Sequence, residues 1–339
     1  MKYPLLSILC LGAAVLFGHA LPAAEADAAI KVIDTIQVGG PGGFDYPMYD
    51  AQRHALYLSH ADAIAFVDVA TRAVKPHWAD AQGSHVALPL QSGKWVLVTH
   101  GKANRITIND ADSGAIAATI ATDKGPDAAI EDPATHRVFV MTNRAETVDV
   151  IDVNTRSVMA RIAVHGAPEA AAVDGHGLVF THLEDHNAIV LIDAKTAQVR
   201  RTIVMADCEG PSGIAYASHG DLIVSACRNG IARFTRAASG KEVTTVPIGK
   251  HPDFALVDEK RNLAYIPCGD GTLSVIDIAG ATPRLAETVP TQVGARTAAL
   301  DPASGRVYLP VADVGSPTMP GARPPVIADS FRVLVVGRP

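Results

Sequence analysis

Aromatic side chains make up only 5% of the 339 residues, and two of them are tryptophan, Trp78 and Trp95. So few rings cannot line a strand surface for stacking bases, and no basic run supplies the electrostatic footprint that a nucleic acid or an anionic membrane needs. Charged residues are 19% of the chain and the formal net charge is −6. No C-x-x-C-H occurs, so covalent c-type haem is unsupported. The G-x-x-x-x-G-K-[ST] loop and a G-x-G-x-x-G opening a helix are also missing, which leaves no case for a bound nucleotide, and the missing G-x-S-x-G removes the serine nucleophile elbow. Beyond the N-terminus no window holds 18 consecutive apolar residues, the length a membrane helix requires. No 12-residue stretch sustains a 3.6-residue period, so helices are not expected either.

What is abundant points to many short strands. Hydrophobic residues are 48% of the chain, enough to bury a sizeable core, and 28 glycines and 22 prolines supply frequent punctuation. At the N-terminus, Met1-Lys2 precedes an apolar run over 5–18 and small residues around Ala20 and Ala26. This reads as a secretory signal within 1–26, cleaved after Ala20 or Ala26, too short to span a bilayer. Cys10 follows Leu9 inside the apolar run, which argues against lipidation. The expected product is exported to the periplasm or secreted, without a transmembrane anchor, and monomeric. Three cysteines then remain, Cys208, Cys227 and Cys268, in a compartment where disulfides persist. An odd number allows one intrachain pair and one free thiol.

The chain repeats itself. An apolar-apolar-Asp strand end followed by a turn reads FVDVATR at 66–72, VIDVNTR at 150–156, LIDAKTA at 191–197 and VIDIAGA at 275–281. INDADSG at 108–114 and RFTRAASG at 233–240 are degenerate copies. Anchored on positions 68, 110, 152, 193, 235 and 277, the copies are spaced by 42, 42, 41, 42 and 42 residues. Each unit holds β-branched strands separated by turn residues. Four strands in about 40–45 residues is one blade of a β-propeller. Second strands such as 55–58, 95–98 and 138–141 recur seven times. The fold class is therefore all-β, a seven-bladed propeller of four-stranded antiparallel blades over 30–339. The last unit carries a proline- and glycine-rich insertion at 314–330 and ends without a fourth strand. The segment 31–38 resembles the other fourth strands, so the N-terminal strand is expected to close the ring and remove its open edge.

VMTN at 140–143 followed by VIDVNTRS at 150–157 resembles the YVTN-type repeat of exported bacterial and archaeal propellers, over essentially the whole mature chain. DCEGPSG at 207–213, SACRNG at 225–230, GDGTLSVID at 269–277 and GARTAALDP at 294–302 are similar to a YncE-like subgroup. The resemblance implies the fold. Its relatives include nitrous oxide reductase, haem-d-type nitrite reductases and their assembly factors, lactonases and non-catalytic members, so it implies no single activity. The two tryptophans are too few for the repeated tryptophan docking of quinoprotein dehydrogenase propellers.

Aligning the blades predicts a surface, because innermost strands start and second strands end on one face. The innermost starts are Asp45, His85, Asp127, Glu169, Ser212, Asp253 and Arg296. The second-strand ends are His60, His100, Asn143, His182, Cys227, Cys268 and Val311. Both rings should surround the channel mouth, a concave polar site for a small molecule or a periplasmic protein. Non-catalytic binding there is the expected function. The alternative is a metal-dependent enzyme or cofactor-assembly protein: lactonase-like hydrolysis, or metal or tetrapyrrole handling. In that alternative His60, His85 and His100 hold Zn²⁺ or Cu²⁺, and Asp127 or Glu169 is the general base. Arg296 either pairs with acidic neighbours or holds a carboxylate or phosphate, and Glu209 lies on the same face. His182-Leu183-Glu184-Asp185-His186 lacks zincin spacing and reads as a hairpin turn. Cys208 and Cys227 should share the face of one blade and are the favoured disulfide, with Cys227–Cys268 between adjacent blades as the other possibility.

Overall fold

In blades one to four a repeated aspartate ends the third strand by capping the turn that follows it. In the computed structural model, which describes residues 1, 29–41, 43–317, 319 and 324–339, Asp68 Oδ1 accepts the backbone N–H of Ala70 at 2.9 Å and of Thr71 at 2.8 Å. Asp152 and Asp193 cap the same two positions in their own blades. Such Asx turns reverse the chain in a few residues, which is why the spacing stays so regular. Four residues after the aspartate the backbone turns left-handed, at Arg72 (φ 63°), Gly114 (φ 77°), Arg156 (φ 55°) and Ala197 (φ 54°).

The sequence register slips in one blade. The third strand of blade five is Ile231–Arg236, and Leu222 pairs with Arg236 where blades one, two, four and six pair the equivalent residue with Asp68, Asp110, Asp193 and Asp277. The anchor is thus Arg236 and not Thr235, which makes the flanking intervals 43 and 41 residues. Asp221, from the preceding turn, takes over the cap by accepting the N–H of Ala238 at 2.8 Å.

The described residues form seven sheets of four antiparallel strands each. Blades one to six cover 44–80, 87–121, 126–163, 168–204, 211–247 and 256–290. Blade seven takes Ala299–Asp301, Arg306–Val311 and Arg332–Gly337, and its outer strand is Lys31–Gln37. Lys31 pairs with Gly337 and Gln37 with Arg332, so the N-terminal strand closes the ring as expected. In blades two to six a bulge between the third and fourth strands, as at Ile108/Asn109 and Val150/Ile151, re-aims the outer strand. The secretory signal read at 1–26 lies, apart from Met1, outside the described residues. Among the described residues no helix is long and apolar enough to cross a membrane.

The scarce aromatics have a place. The third residue of the second strand is Tyr57, Phe139, Phe180, Tyr265 and Tyr308 in five of seven blades, with Leu97 and Val224 in the others, and all seven are buried. Large rings fill the wedge between neighbouring sheets, where packing must be continuous. Leu56, Leu58 and Val67 of blade one pack with Tyr308, Phe331 and Val333 of blade seven in one such seam.

Candidate functional site

The starts of the inner strands converge at the channel mouth. His85 Nδ1 lies 2.7 Å from Asp45 Oδ2 of blade one and 3.3 Å from Asp127 Oδ1 of blade three. Asn143 donates from Nδ2 to Asp127 Oδ2 at 2.6 Å. Arg296 Nε donates to Asp253 Oδ2 at 2.7 Å. Among the described residues Glu169 makes no ion pair, and its Oε1 accepts the Tyr46 hydroxyl at 3.5 Å.

These groups set one another's protonation. Burial opposes the charge of His85, but the Asp45 hydrogen bond and the charges of Asp127, Asp45 and Glu169 outweigh it and push the imidazole up to about 9. Burial raises Asp127, the His85 charge pulls it back, and Asp45 and Asp253 add to the rise. Burial and then the Asp127 charge push Glu169 well above the usual carboxylate range. Asp253 is raised by burial against the pull of Arg296.

The mouth has a floor. Tyr46, from blade one, reaches Glu169 of blade four, and its ring lies 5.3 Å from that of Phe254 in blade six. It is 3% exposed and therefore plugs the axis. Below it a cavity of about 290 Å³ is walled by Met48, Leu88, Ile130, Ala172 and Leu256. Its lining is mostly apolar, with Tyr46 and Tyr216 the residues there that carry a hydroxyl. Residue-by-residue reading passed over Tyr46, yet a signal was there. The positions following the seven inner starts are Tyr46, Val86, Ala128, Ala170, Gly213, Phe254 and Thr297, and the two large rings are the pair that meet. Gly213 is required beside them, since a Cβ there would come within 2.2 Å of the Phe254 backbone. Lys102 and Arg144, which line a cleft at the rim with His85, were also not singled out.

The second-strand ends behave differently. His60 is buried and stacked on Phe331 at 4.2 Å, and burial lowers its pKa. His100 is buried with Nε2 3.0 Å from Thr107 Oγ1; burial and then Arg105 lower it to about 4. His182 Nε2 meets Ser225 Oγ of the next blade at 2.9 Å, and burial lowers it to about 3. His60 and His100 thus stay in the blades while His85 turns to the axis. The three do not come together as a ligand set, and among the described residues no group of three or more His, Cys, Asp or Glu is arranged to hold a metal ion. The physical reason is radial. The second-strand ends are one strand out from the channel, where neighbouring sheets enclose their side chains.

Cys208 and Cys227 form the disulfide, with Cα atoms 5.2 Å apart. Cys268 is a free, buried thiol that burial pushes up to about 11. Ser212 is buried and donates to Pro252 O at 2.9 Å, and Val311 is buried. In the turn after His182, Glu184 pairs with Arg228 and Asp185 with His186. Exposed Glu209 gives its carbonyl to the Arg228 N–H at 2.7 Å.

The geometry is that of known propellers. The chain superposes on Kuenenia stuttgartiensis hydrazine synthase with a TM-score of 0.70 and 16% identity, over 86% of this chain and 96% of that one. It superposes on a chain of the mitotic checkpoint complex with a TM-score of 0.76 and 12% identity, over 98% and 99%. At these identities the likeness shows the β-propeller fold alone. No family model and no curated protein matches the sequence.

Proposed function

We propose that this is an exported propeller of the YVTN-repeat, YncE-like kind that binds a small ligand or protein partner at its polar channel face and performs no chemistry there. The observation that carries the reading is the mouth itself. Asp45, His85, Asp127, Glu169, Asp253 and Arg296 come from six different blades and meet over the Tyr46 floor. Rigid blades presenting convergent polar groups in a blind recess suit recognition. The Cys208–Cys227 bond supports an oxidising compartment. The test expresses the full chain and isolates it from the periplasm. N-terminal sequencing should find cleavage after Ala20 or Ala26. Native mass spectrometry and crosslinking should find a bound molecule or partner that the Glu169→Gln, Arg296→Ala double variant loses. Uncleaved protein in the cytosol, or binding indifferent to both substitutions, refutes the proposal.

One observation favours an enzymatic reading. Asp127 is buried, held by Asn143 and raised toward neutral pH, as a general base would be. A lactone-hydrolysis assay in which Asp127→Asn abolishes turnover would select it. A divalent metal in that reading needs ligands other than the His60, His85 and His100 set.

A further inference from the structure

Beside the mouth, between blades two and three, lies a second recess of about 360 Å³. It is lined by His85, Lys102, Asn143, Arg144 and the backbone of Gly83, Gly101 and Gly125. The glycines let the polar side chains of the recess approach the backbone closely. A Cβ on Gly101 would stand 3.0 Å from His85 Nε2, and one on Gly125 would stand 2.6 Å from Asn143 Oδ1 and 2.7 Å from Arg144 Nε.

Three cationic donors face this space. Both carboxyls that hold His85, Asp45 and Asp127, act on Nδ1. They keep that nitrogen protonated, and the other ring nitrogen, Nε2, has no protein partner among the described residues and borders Gly101. Arg144 spends Nη2 on Gly101 O and Asn104 Oδ1, leaving Nε and Nη1 without a partner among the described residues. Lys102 is exposed and makes no hydrogen bond or ion pair among the described residues. The carboxyls act on Nδ1, on the other side of the imidazole from Nε2, and the charged side chains lining the recess are His85, Lys102 and Arg144, with Asn143 placing its Oδ1 near Gly125.

We infer that this cleft is an oxyanion site, in which His85 Nε2, Lys102 Nζ and Arg144 clasp a carboxylate or phosphate group. The inference rests on reading the channel face as a binding surface and names the chemistry of one end of its ligand. Charge-assisted bonds from three converging donors are the interactions that carry such recognition. The adjoining mouth, where Glu169 has no cationic partner among the described residues, then receives the remainder of the molecule.

The test titrates the full mature protein with inorganic phosphate, and separately with citrate, by calorimetry and by imidazole ¹⁵N NMR, ionic strength being held with sodium chloride. Saturable binding should shift the His85 Nε2 resonance, and Lys102→Glu should weaken it about tenfold or more. His85→Gln should do the same, with Lys102→Gln a milder intermediate. Preference for phosphate or for citrate assigns the natural anion as a phosphate or a carboxylate. No saturable binding of either probe, or binding equal in wild type and Lys102→Glu, overturns the inference. A molecule that still co-purifies in a Glu169- and Arg296-dependent way would then show that the oxyanion assignment alone had failed.

Discussion

His85 and His100 belong to the same blade and the same face, yet they hold opposite protonation at neutral pH. His85 precedes the inner strand and sits against Asp45 and Asp127, so its pKa rises to about 9. His100 ends the second strand, buried beside Thr107 and near Arg105, and its pKa falls to about 4. The difference is one strand of radius. At the axis, seven strand starts close on one another, and carboxyls of separate blades meet one imidazole. One strand outward, the side chain sees its own sheet and its neighbour, and desolvation wins. Position along the radius therefore separates the charged ring from the packed one.

The packed ring should be the costlier to disturb. Replacing Cys208 and Cys227 by serine opens a cross-link of sequence separation 19 and should cost about 3 kcal/mol in the chain-entropy model, read as a lower midpoint in urea unfolding. His182→Ala should cost about 2 kcal/mol, because it leaves a void and strips buried Ser225 of its partner. A cost near zero would mean that the second-strand ends are not packed as described.

The two histidines should also bend stability in opposite directions with pH. His85 has a folded pKa above its ordinary 6.5, so its contribution is complete below 6.5 and is lost as pH rises through about 9. His100 has a folded pKa below 6.5, so its contribution is complete above 6.5 and is lost as pH falls toward about 4. Urea midpoints from pH 4 to 10 should lose the alkaline slope in His85→Gln and part of the acid slope in His100→Gln. Asp45→Asn should lower the His85 titration by about one to two units in imidazole NMR and leave His100 unmoved. Equal titrations in wild type would abolish the contrast. Last, Glu169→Gln should match wild type below about pH 4.5 and gain relative stability as pH rises from there toward about 9, because burial and the Asp127 charge keep the native carboxyl protonated while the unfolded one ionises; a urea-midpoint difference that stays constant over that range would contradict this.

The fold was legible because a blade is a local object. Asp68, Asp152 and Asp193 cap turns within three residues of themselves, so a regular spacing of aspartates maps directly onto strand ends. Blade five misled by one residue where Arg236 replaced the aspartate and Asp221, fifteen positions earlier, supplied the cap. The site was legible only in part. Asp45, His85, Asp127, Glu169, Asp253 and Arg296 could be assembled from register alone. His60, His100 and His182 share a register too, but register says which end of a strand a residue occupies and not which side it faces. Tyr46 escaped notice because its partners, Glu169 and Phe254, lie 123 and 208 positions away and three and five blades on.

The sequence by itself determined the period, the seven blades and the N-terminal strand that closes them, and it narrowed the disulfide to Cys208–Cys227 or Cys227–Cys268. Turns, strand propensity and spacing act over a few residues and survive without knowledge of the whole. Only the tertiary structure decided which histidine carries a proton, that a tyrosine stops the channel, and that Lys102 and Arg144 share a cleft with His85. Those properties depend on distances between blades. Ring closure sets these, bringing Thr297 Oγ1 within 3.3 Å of the Asp45 carbonyl across 252 residues of chain.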